Sequence, residues 1–349
     1  MNSLKINQYK IDENSPVFII AEVGVNHNGS LNMAKRLVIE AKNCGADCVK
    51  FQTFKAERVV NEDSPKALYQ NKTTDPNESQ LEMLRNCELK DNYHKKLLEL
   101  CEKVGIIFLS TPYNVEDVDF LDQLGVQAYK LASIHAVEPY FINYTAKKGK
   151  PIILSTGMAT LSEINDAVKS IRNASNKNFS LLQCTTNYPS RYEDANLNAM
   201  ITMKNKFNVV VGYSDHTKDD TVAIVSVGLG AKIIEKHFTL DKTLPGPDHT
   251  SSLNPEEFKQ FVEKIRNAEK TMGTYEKFPC EIEKENLKGM RRSIVAKIDI
   301  NNGTIITPEM ITFKRPANGI EPRLLNKIIG KKVITDITKD SFIRFKMLK

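Results

Sequence analysis

Short runs of β-branched and apolar residues alternate with longer amphipathic stretches through the first 275 residues of the chain, and few architectures accommodate that order. Eight such units can be read. Their strand segments are FIIAE (18–22), CVKFQ (48–52), IIFLS (106–110), AYKLA (128–132), PIILS (151–155), SLLQC (180–184), VVVGY (209–213) and KIIEK (232–236). The helical patterns between them include LNMAKRLVIEAKNCG, with an apolar stripe at Leu31, Ala34, Leu37, Val38 and Ala41 and a stop at Gly45, and LSEINDAVKSIRN with a cap expected at Ser162. Near-continuous apolar strands mark a parallel sheet buried on both faces, and eight β-then-α repeats close naturally into a (β/α)₈ TIM barrel; a doubly wound open sheet is the alternative.

Residues 53–80, charged and containing Pro65 and Pro76, interrupt the rhythm as a long insertion after the second strand, where long loops usually serve a site. Beyond Met272 the text TYEKFPCEIEKENLKG loses its period and reads as a linker at 276–288. From 289 to 349 short strand-like pieces and Gly or Pro turns indicate a small, mostly β second domain, marginal on its own. The expected division is thus 1–275, 276–288 and 289–349.

Charged residues at 26% and hydrophobic residues at 41% exclude disordered, collagen-like and coiled-coil classes. Apolar runs such as Val17 to Ala21 fall far short of the about 18 to 20 residues that span a bilayer. The opening MNSLKINQYKIDENSP carries no apolar stretch of the secretory kind, so a cytoplasmic protein is expected. The net charge of +6 is spread in short groups with no aromatic interleaving, which argues against nucleic acid. Cys44, Cys48, Cys87, Cys101, Cys184 and Cys280 show neither C-x-x-C nor zinc spacing and read as reduced thiols.

In such barrels the reactive groups project from the C-terminal ends of the strands. Those ends hold Glu22; Lys50 and Gln52; Ser110 and Thr111; Lys130 and Ser133; Ser155 and Thr156; Thr185 and Asn187; Ser214 and His216; and Glu235 and His237. A lysine ending an apolar strand is costly to bury unpaired, so Lys50 and Lys130 suggest a shared anion; the plainer reading pairs each with a barrel carboxylate such as Glu22. His216 and His237 end adjacent strands, the geometry of a half-filled site for an octahedral divalent ion with open positions for water and substrate. His94 reads as solvent-facing on a polar helix. Asp248 and His249 sit in LPGPDHTSS, a loop stiffened by Pro245 and Pro247, which would present rather than bury them. Asp248 either binds a sugar hydroxyl or caps its loop, and His27 is either a turn element or a supporting group.

The ordered motifs AEVGVNHNGSL, GADCVKFQT, FLSTPY, YKLAS, KPIILSTGMATL, CTTNYP, VGYSDHT, GAKIIEKHFTLD, LPGPDH and KRPANGI resemble the N-acetylneuraminate (sialic acid) synthase family, which includes legionaminic acid synthases. The resemblance implies a (β/α)₈ barrel followed by an antifreeze-like (SAF) domain and a domain-swapped homodimer. It implies condensation of phosphoenolpyruvate with an N-acetylmannosamine-type sugar, using a divalent metal, typically Mn²⁺, with Mg²⁺ or Co²⁺ as alternatives. Carried over by motif, phosphoenolpyruvate contacts fall on Lys50, Thr111, Lys130, Ser133, Ser155, Asn187 and Ser214. Metal ligands fall on His216 and His237, and sugar contacts on Gln52, Tyr188, Asp248 and Arg315, the last acting from a neighbouring subunit. Glu22, Lys50, Lys130 and Arg315 are the expected catalytic set. The chain departs from the family at Ser133-Ile134-His135, where many relatives carry Ser-Gly-Glu, so one family acid is absent at 135. Two rivals are a barrel aldolase or a related phosphoenolpyruvate-condensing synthase acting on a phosphosugar, the Schiff-base aldolase being disfavoured by paired rather than isolated lysines, and a non-catalytic carbohydrate-binding protein.

Overall fold

A computed structural model describes residues 3–67 and 70–349, so residues 68 and 69 of the insertion lie outside it. The chain divides into two compact units, Met1–Gly273 and Thr274–Lys349.

The first unit opens with a hairpin of β1 (Leu4–Ile6) and β2 (Tyr9–Ile11). Eight parallel strands follow: β3 (Phe18–Gly24), β4 (Cys48–Thr53), β5 (Ile107–Pro112), β6 (Tyr129–Leu131), β7 (Ile152–Ser155), β8 (Phe179–Cys184), β9 (Val210–Asp215) and β10 (Ile233–His237). Their ladders run β5-β4-β3-β10-β9-β8-β7-β6, and the first and last of these strands lie side by side, giving a nearly closed barrel. At least one helix follows each strand. All eight expected strands are present, displaced by at most a few residues; the expected cap at Ser162 is instead Thr160, whose hydroxyl and Glu163 form a reciprocal capping box on the helix Leu161–Asn173.

The two-residue period of each strand sorts the barrel's chemistry. Phe18, Ile20, Cys48, Ile107, Leu109, Ala128, Ile153, Leu182, Val210 and Ile233 form an inner apolar layer at the N-terminal ends of the strands, and Leu4, Ile6 and Ile11 of the hairpin pack into it. Asn178, just before β8, ties the hairpin down: it donates to the Lys5 carbonyl at 2.9 Å and accepts from the Lys5 amide at 2.8 Å. The alternate residues, such as Ile19, Ala21, Val49, Phe108, Tyr129 and Leu181, face outward and join the helices in a second cluster. Continuing the inward positions toward the C-terminal ends replaces carbon with Glu22, Lys50, Gln52, Thr111, Lys130, Ser155, Ser214, Glu235 and His237. The floor of the barrel is therefore hydrocarbon and its mouth is polar.

The insertion carries the short helices Ala56–Val59, Gln70–Thr73 and Gln80–Cys87. Thr73 donates to the Pro247 carbonyl at 3.2 Å, so the insertion backs the loop bearing Asp248. That loop is packed, not presented: Asp248 is buried, and His249 is fully buried between Thr239 Oγ1 at 2.6 Å and Asn28 Oδ1 at 3.2 Å. His27 is likewise buried, its Nδ1 accepting from the Gly29 amide at 3.0 Å in the turn before the first helix. Five cysteines are buried free thiols and Cys280 is an exposed one. No helix among the described residues is long and apolar enough to cross a membrane.

The second unit differs from expectation at its start, because Glu281–Met290, which begins inside the segment read as a linker and ends just beyond it, is a helix opened by a capping box between Cys280 and Glu283. Its strands are fewer than the sequence suggests: β11 (Ser293–Ala296) pairs antiparallel with β12 (Ile311–Lys314), and isolated bridges and 3₁₀ turns complete a core of Ile294, Ile306, Ile328, Val333 and Ile343.

His94 corrects another expectation. It lies on the helix Asp91–Val104 in one stripe with Leu97 and Cys101, fully buried, its Nε2 2.9 Å from Thr53 Oγ1. Burial, eased by the Lys90 carbonyl, holds its pKa near 4. The unfolded chain therefore binds a proton on this group near pH 6.5 that the folded chain refuses until about pH 4. The stability that neutral His94 gives above pH 6.5 is lost as pH falls through this window. The gap in unfolding free energy between the native protein and His94→Gln should accordingly narrow by on the order of 3 kcal/mol from pH 7 to pH 4. Urea midpoints across that range measure it, and a constant gap would contradict the assignment.

Candidate active site

Strand pairing brings the inward polar groups together. Glu22 lies opposite Lys50 across β3 and β4, His237 opposite Glu22 across β10 and β3, and Glu235 opposite Ser214 across β10 and β9. Lys50 Nζ stands 2.8 Å from Glu22 Oε2, 3.8 Å from Glu235 Oε2 and 3.1 Å from Thr111 Oγ1; Lys130 Nζ is 3.2 Å from Glu235 Oε1. Ser214 Oγ donates to the same Glu235 oxygen at 3.0 Å. All four charged side chains are at least nine-tenths buried. Both lysines thus have carboxylate partners, the plainer of the two sequence readings, but Glu235 is the partner that ties them together.

The carboxylates are not equivalent. Burial and the neighbouring Glu235 charge push Glu22 up to about 7 against the pull of Lys50. For Glu235 burial is outweighed by the ammonium groups of Lys130 and Lys50, which hold it at about 2. Burial pushes Lys130 down, and for Lys50 the two glutamates overcome burial and push it up. Near neutral pH the cluster therefore has two ammonium groups against one firmly ionised carboxylate and one carboxyl poised to hold a proton, an arrangement that attracts an anion.

Around this centre Gln52 donates from Nε2 to Glu22 at 3.3 Å and accepts from the Tyr113 hydroxyl at 3.1 Å. Ser155 Oγ is buried without a hydrogen-bond partner among the described residues. Ser133 Oγ accepts from the Gly157 amide at 3.0 Å, and a side chain at 157 would lie 2.8 Å from that oxygen and 2.5 Å from Thr186 Oγ1, so glycine there lets three loops converge. Asn187 is not gathered into the cluster; it is exposed and donates to the Pro189 carbonyl at 2.8 Å in its own loop.

His216 and His237 meet as expected, with ring centroids 5.5 Å apart and Tyr188 packed on both at 4.1 and 5.2 Å. His216 Nδ1 donates to the Thr185 carbonyl at 2.7 Å, which fixes the tautomer and leaves Nε2, 4.0 Å from the Cys184 thiol, as the ring's acceptor. Burial, reinforced by His216, keeps His237 neutral well below the usual histidine range. Among the described residues His237 Nδ1 is buried with no hydrogen-bond partner, and Asp248 Oδ2 stands 3.9 Å away, its pKa raised by burial to about 6. Burial lowers His216, but the Cys184 thiol and the Thr185 carbonyl outweigh burial and push it up, so the two imidazoles beside a carboxyl group suit a divalent ion once His216 gives up its proton. Among the described residues no three His, Cys, Asp or Glu side chains converge tightly enough to form a complete protein-ligand cage. His135 is buried, with Nδ1 2.8 Å from Glu138 Oε2 and its ring 5.8 Å from that of Tyr113. Arg315 is exposed, within the second unit.

The NeuB family model matches residues 37–277 and the SAF domain model residues 291–349. The chain belongs to the NeuB family. An N,N'-diacetyllegionaminic acid synthase of Campylobacter jejuni is 45% identical over 93% of this chain and 98% of its own, and one of Legionella pneumophila is 43% identical over 92% and 91%. A crystal structure of an N-acetylneuraminic acid (sialic acid) synthetase from Leptospira borgpetersenii, in complex with citrate, superposes with a TM-score of 0.74 at 34% identity, covering 82% of this chain and 95% of that one.

Sequence reasoning named Glu235 only as a strand end; its role as shared counter-ion was implicit in the inward period of β10. Tyr113 carried no signal, lying one residue beyond its strand. Replacing Glu235 with Gln leaves two buried ammonium groups facing only Glu22, and removing one partner of a buried ion pair costs about 3–5 kcal/mol. A urea titration of Glu235→Gln should show a loss of that order, while an unchanged midpoint would mean the lysines do not depend on Glu235.

Proposed function

We propose that this protein condenses phosphoenolpyruvate with an open-chain 2-acetamido sugar, releasing phosphate and giving a nine-carbon 2-keto sugar acid. The buried Lys50–Glu22–Glu235–Lys130 cluster beside the His216–His237 pair carries the reading: it joins an anion site to a site for a divalent ion at one barrel mouth. Membership of the NeuB family supports it. The relatives of 45% and 43% identity favour an N,N'-diacetyllegionaminic acid product, hence a 2,4-diacetamido-6-deoxy acceptor, over N-acetylmannosamine.

In this reading Lys50 and Lys130 hold the enolpyruvate anion, with Thr111, Ser133, Ser155 and Ser214 as its further contacts; Asn187, turned into its own loop, is not among them. A divalent ion on His216 and His237, manganese by preference and magnesium or cobalt otherwise, supplies Lewis acidity toward the sugar aldehyde. Gln52, Tyr188 and Asp248 orient the sugar so that its aldehyde carbon faces C3 of phosphoenolpyruvate. Carbon–carbon bond formation leaves an alkoxide on the sugar, which takes the proton that Glu22 holds, and a cationic C2, to which water adds. Glu22, poised near neutrality, takes the proton of that water, and the C2–O bond to phosphate then breaks. A Schiff-base aldolase would need one isolated lysine of depressed pKa, whereas here both lysines are ion-paired.

The proposal extends to a domain-swapped dimer in the cytoplasm, with Arg315 serving the partner's active site by hydrogen-bonding the sugar's N-acetyl group. Its exposure leaves the guanidinium available, and its planar fork suits a carbonyl. Phosphate release from phosphoenolpyruvate, assayed against a panel of acceptor sugars with and without Mn²⁺, tests the reaction: release should need both sugar and metal, be greatest with the diacetamido acceptor, and vanish in His237→Ala. Release independent of metal, or none with any acceptor, would overturn it. For the dimer, mixing inactive Arg315→Ala and Lys50→Ala chains should restore partial activity after subunit exchange, because one of the two sites in a mixed dimer is then intact; exchange confirmed by mass with no activity would exclude action in trans.

A further inference from the structure

Along β10 the inward residues Glu235 and His237 flank Lys236, which points the other way and is buried to 1% exposure. Its ammonium group meets Asp215 Oδ2 at 2.8 Å, the Thr217 carbonyl at 2.6 Å and the Asp219 carbonyl at 3.0 Å. Asp215 is equally buried, and its other oxygen accepts from the Thr217 amide at 2.8 Å and the Thr217 hydroxyl at 2.7 Å. Asp215 and Lys236 are register partners in the β9–β10 ladder. Each is therefore one residue away from a candidate metal ligand: Asp215 precedes His216 and Lys236 precedes His237.

The turn that carries His216 is gripped on both sides. Asp215 holds its entry and the Lys236 ammonium holds its exit at the Thr217 and Asp219 carbonyls, while the Ser190 amide donates to the His216 carbonyl at 2.8 Å. Nothing in this network faces the barrel interior, so it contributes no ligand. It sets where the His216 ring stands relative to His237. We propose that the Lys236–Asp215–Thr217 network is a clamp that positions His216 for divalent-metal binding, with Lys236 and Asp215 as positioning residues. The inference rests on the metal reading above. Groups that orient a ligating histidine from outside the coordination sphere typically account for 10- to 100-fold in metal affinity.

The test measures Mn²⁺ dissociation constants from the electron paramagnetic resonance signal of free Mn²⁺, alongside phosphoenolpyruvate affinity by calorimetry, on the full chain. Lys236→Met with Asp215→Leu removes both charges together and leaves neither one unpaired; Thr217→Val removes only the hydroxyl contact and keeps the ion pair. The double variant should bind Mn²⁺ about 10- to 100-fold more weakly, and Thr217→Val should weaken it by a smaller factor, both with phosphoenolpyruvate affinity unchanged. If the double variant does not fold, Thr217→Val decides alone. Native Mn²⁺ affinity in the folded variants, or equal loss of both affinities, would overturn the clamp. Failure of the unaltered protein to bind Mn²⁺, or unchanged binding in His216→Ala, would instead strike the metal reading itself.

Discussion

Two lysines and two glutamates share one water-poor volume at the centre of the barrel, and none is tolerable there without the others. Desolvating any one of these ions alone would cost several kcal/mol. The strands can place them there only because the charges alternate in space: Glu22, Lys50, Glu235 and Lys130 are linked by contacts of 2.8, 3.8 and 3.2 Å. The arrangement is not neutralised symmetrically. Glu235 takes the permanent negative charge and Glu22 the labile proton, which leaves a cationic surplus for a ligand to complete. An anion entering this volume replaces solvation the cluster lacks, so recognition and catalysis draw on the same unmet electrostatic need.

The rest of the barrel serves to hold that cluster still. The hydrocarbon layer beneath it fixes the strand register, and in a two-residue period register decides whether a lysine points at its counter-ion or at a helix. On β10 three consecutive residues divide the labour: Glu235 balances the lysines, Lys236 secures a loop on the far side, and His237 faces the second imidazole.

Much of this was legible in the sequence because the barrel repeats one rule. Apolar strands ending in polar residues gave the strand order and most of the polar mouth, including the lysine and histidine pairs. What escaped depends on contacts distant in sequence. The β1–β2 hairpin has strands of three residues, too short for a period, and only the barrel floor makes sense of Leu4 and Ile6. His94 sits among charged neighbours, so its stripe with Leu97 and Cys101 was hidden by composition. Asp248 and His249 looked presented because proline stiffens their loop, yet stiffness says nothing about what covers a loop, and Thr239, Asn28 and the insertion do. The charged segment before β11 concealed a capped helix for the same reason: its period is short and its burial slight.

The hairpin seated in the barrel floor has a kinetic meaning. With Leu4, Ile6 and Ile11 filling the N-terminal end, the barrel is a blind vessel rather than a channel, and traffic runs through one mouth. Lys50 and Lys130 stand one inward position beyond Cys48 and Ala128 of that hydrocarbon floor. With one opening, whatever reaches the buried lysines and whatever leaves them passes the same ring of polar strand ends.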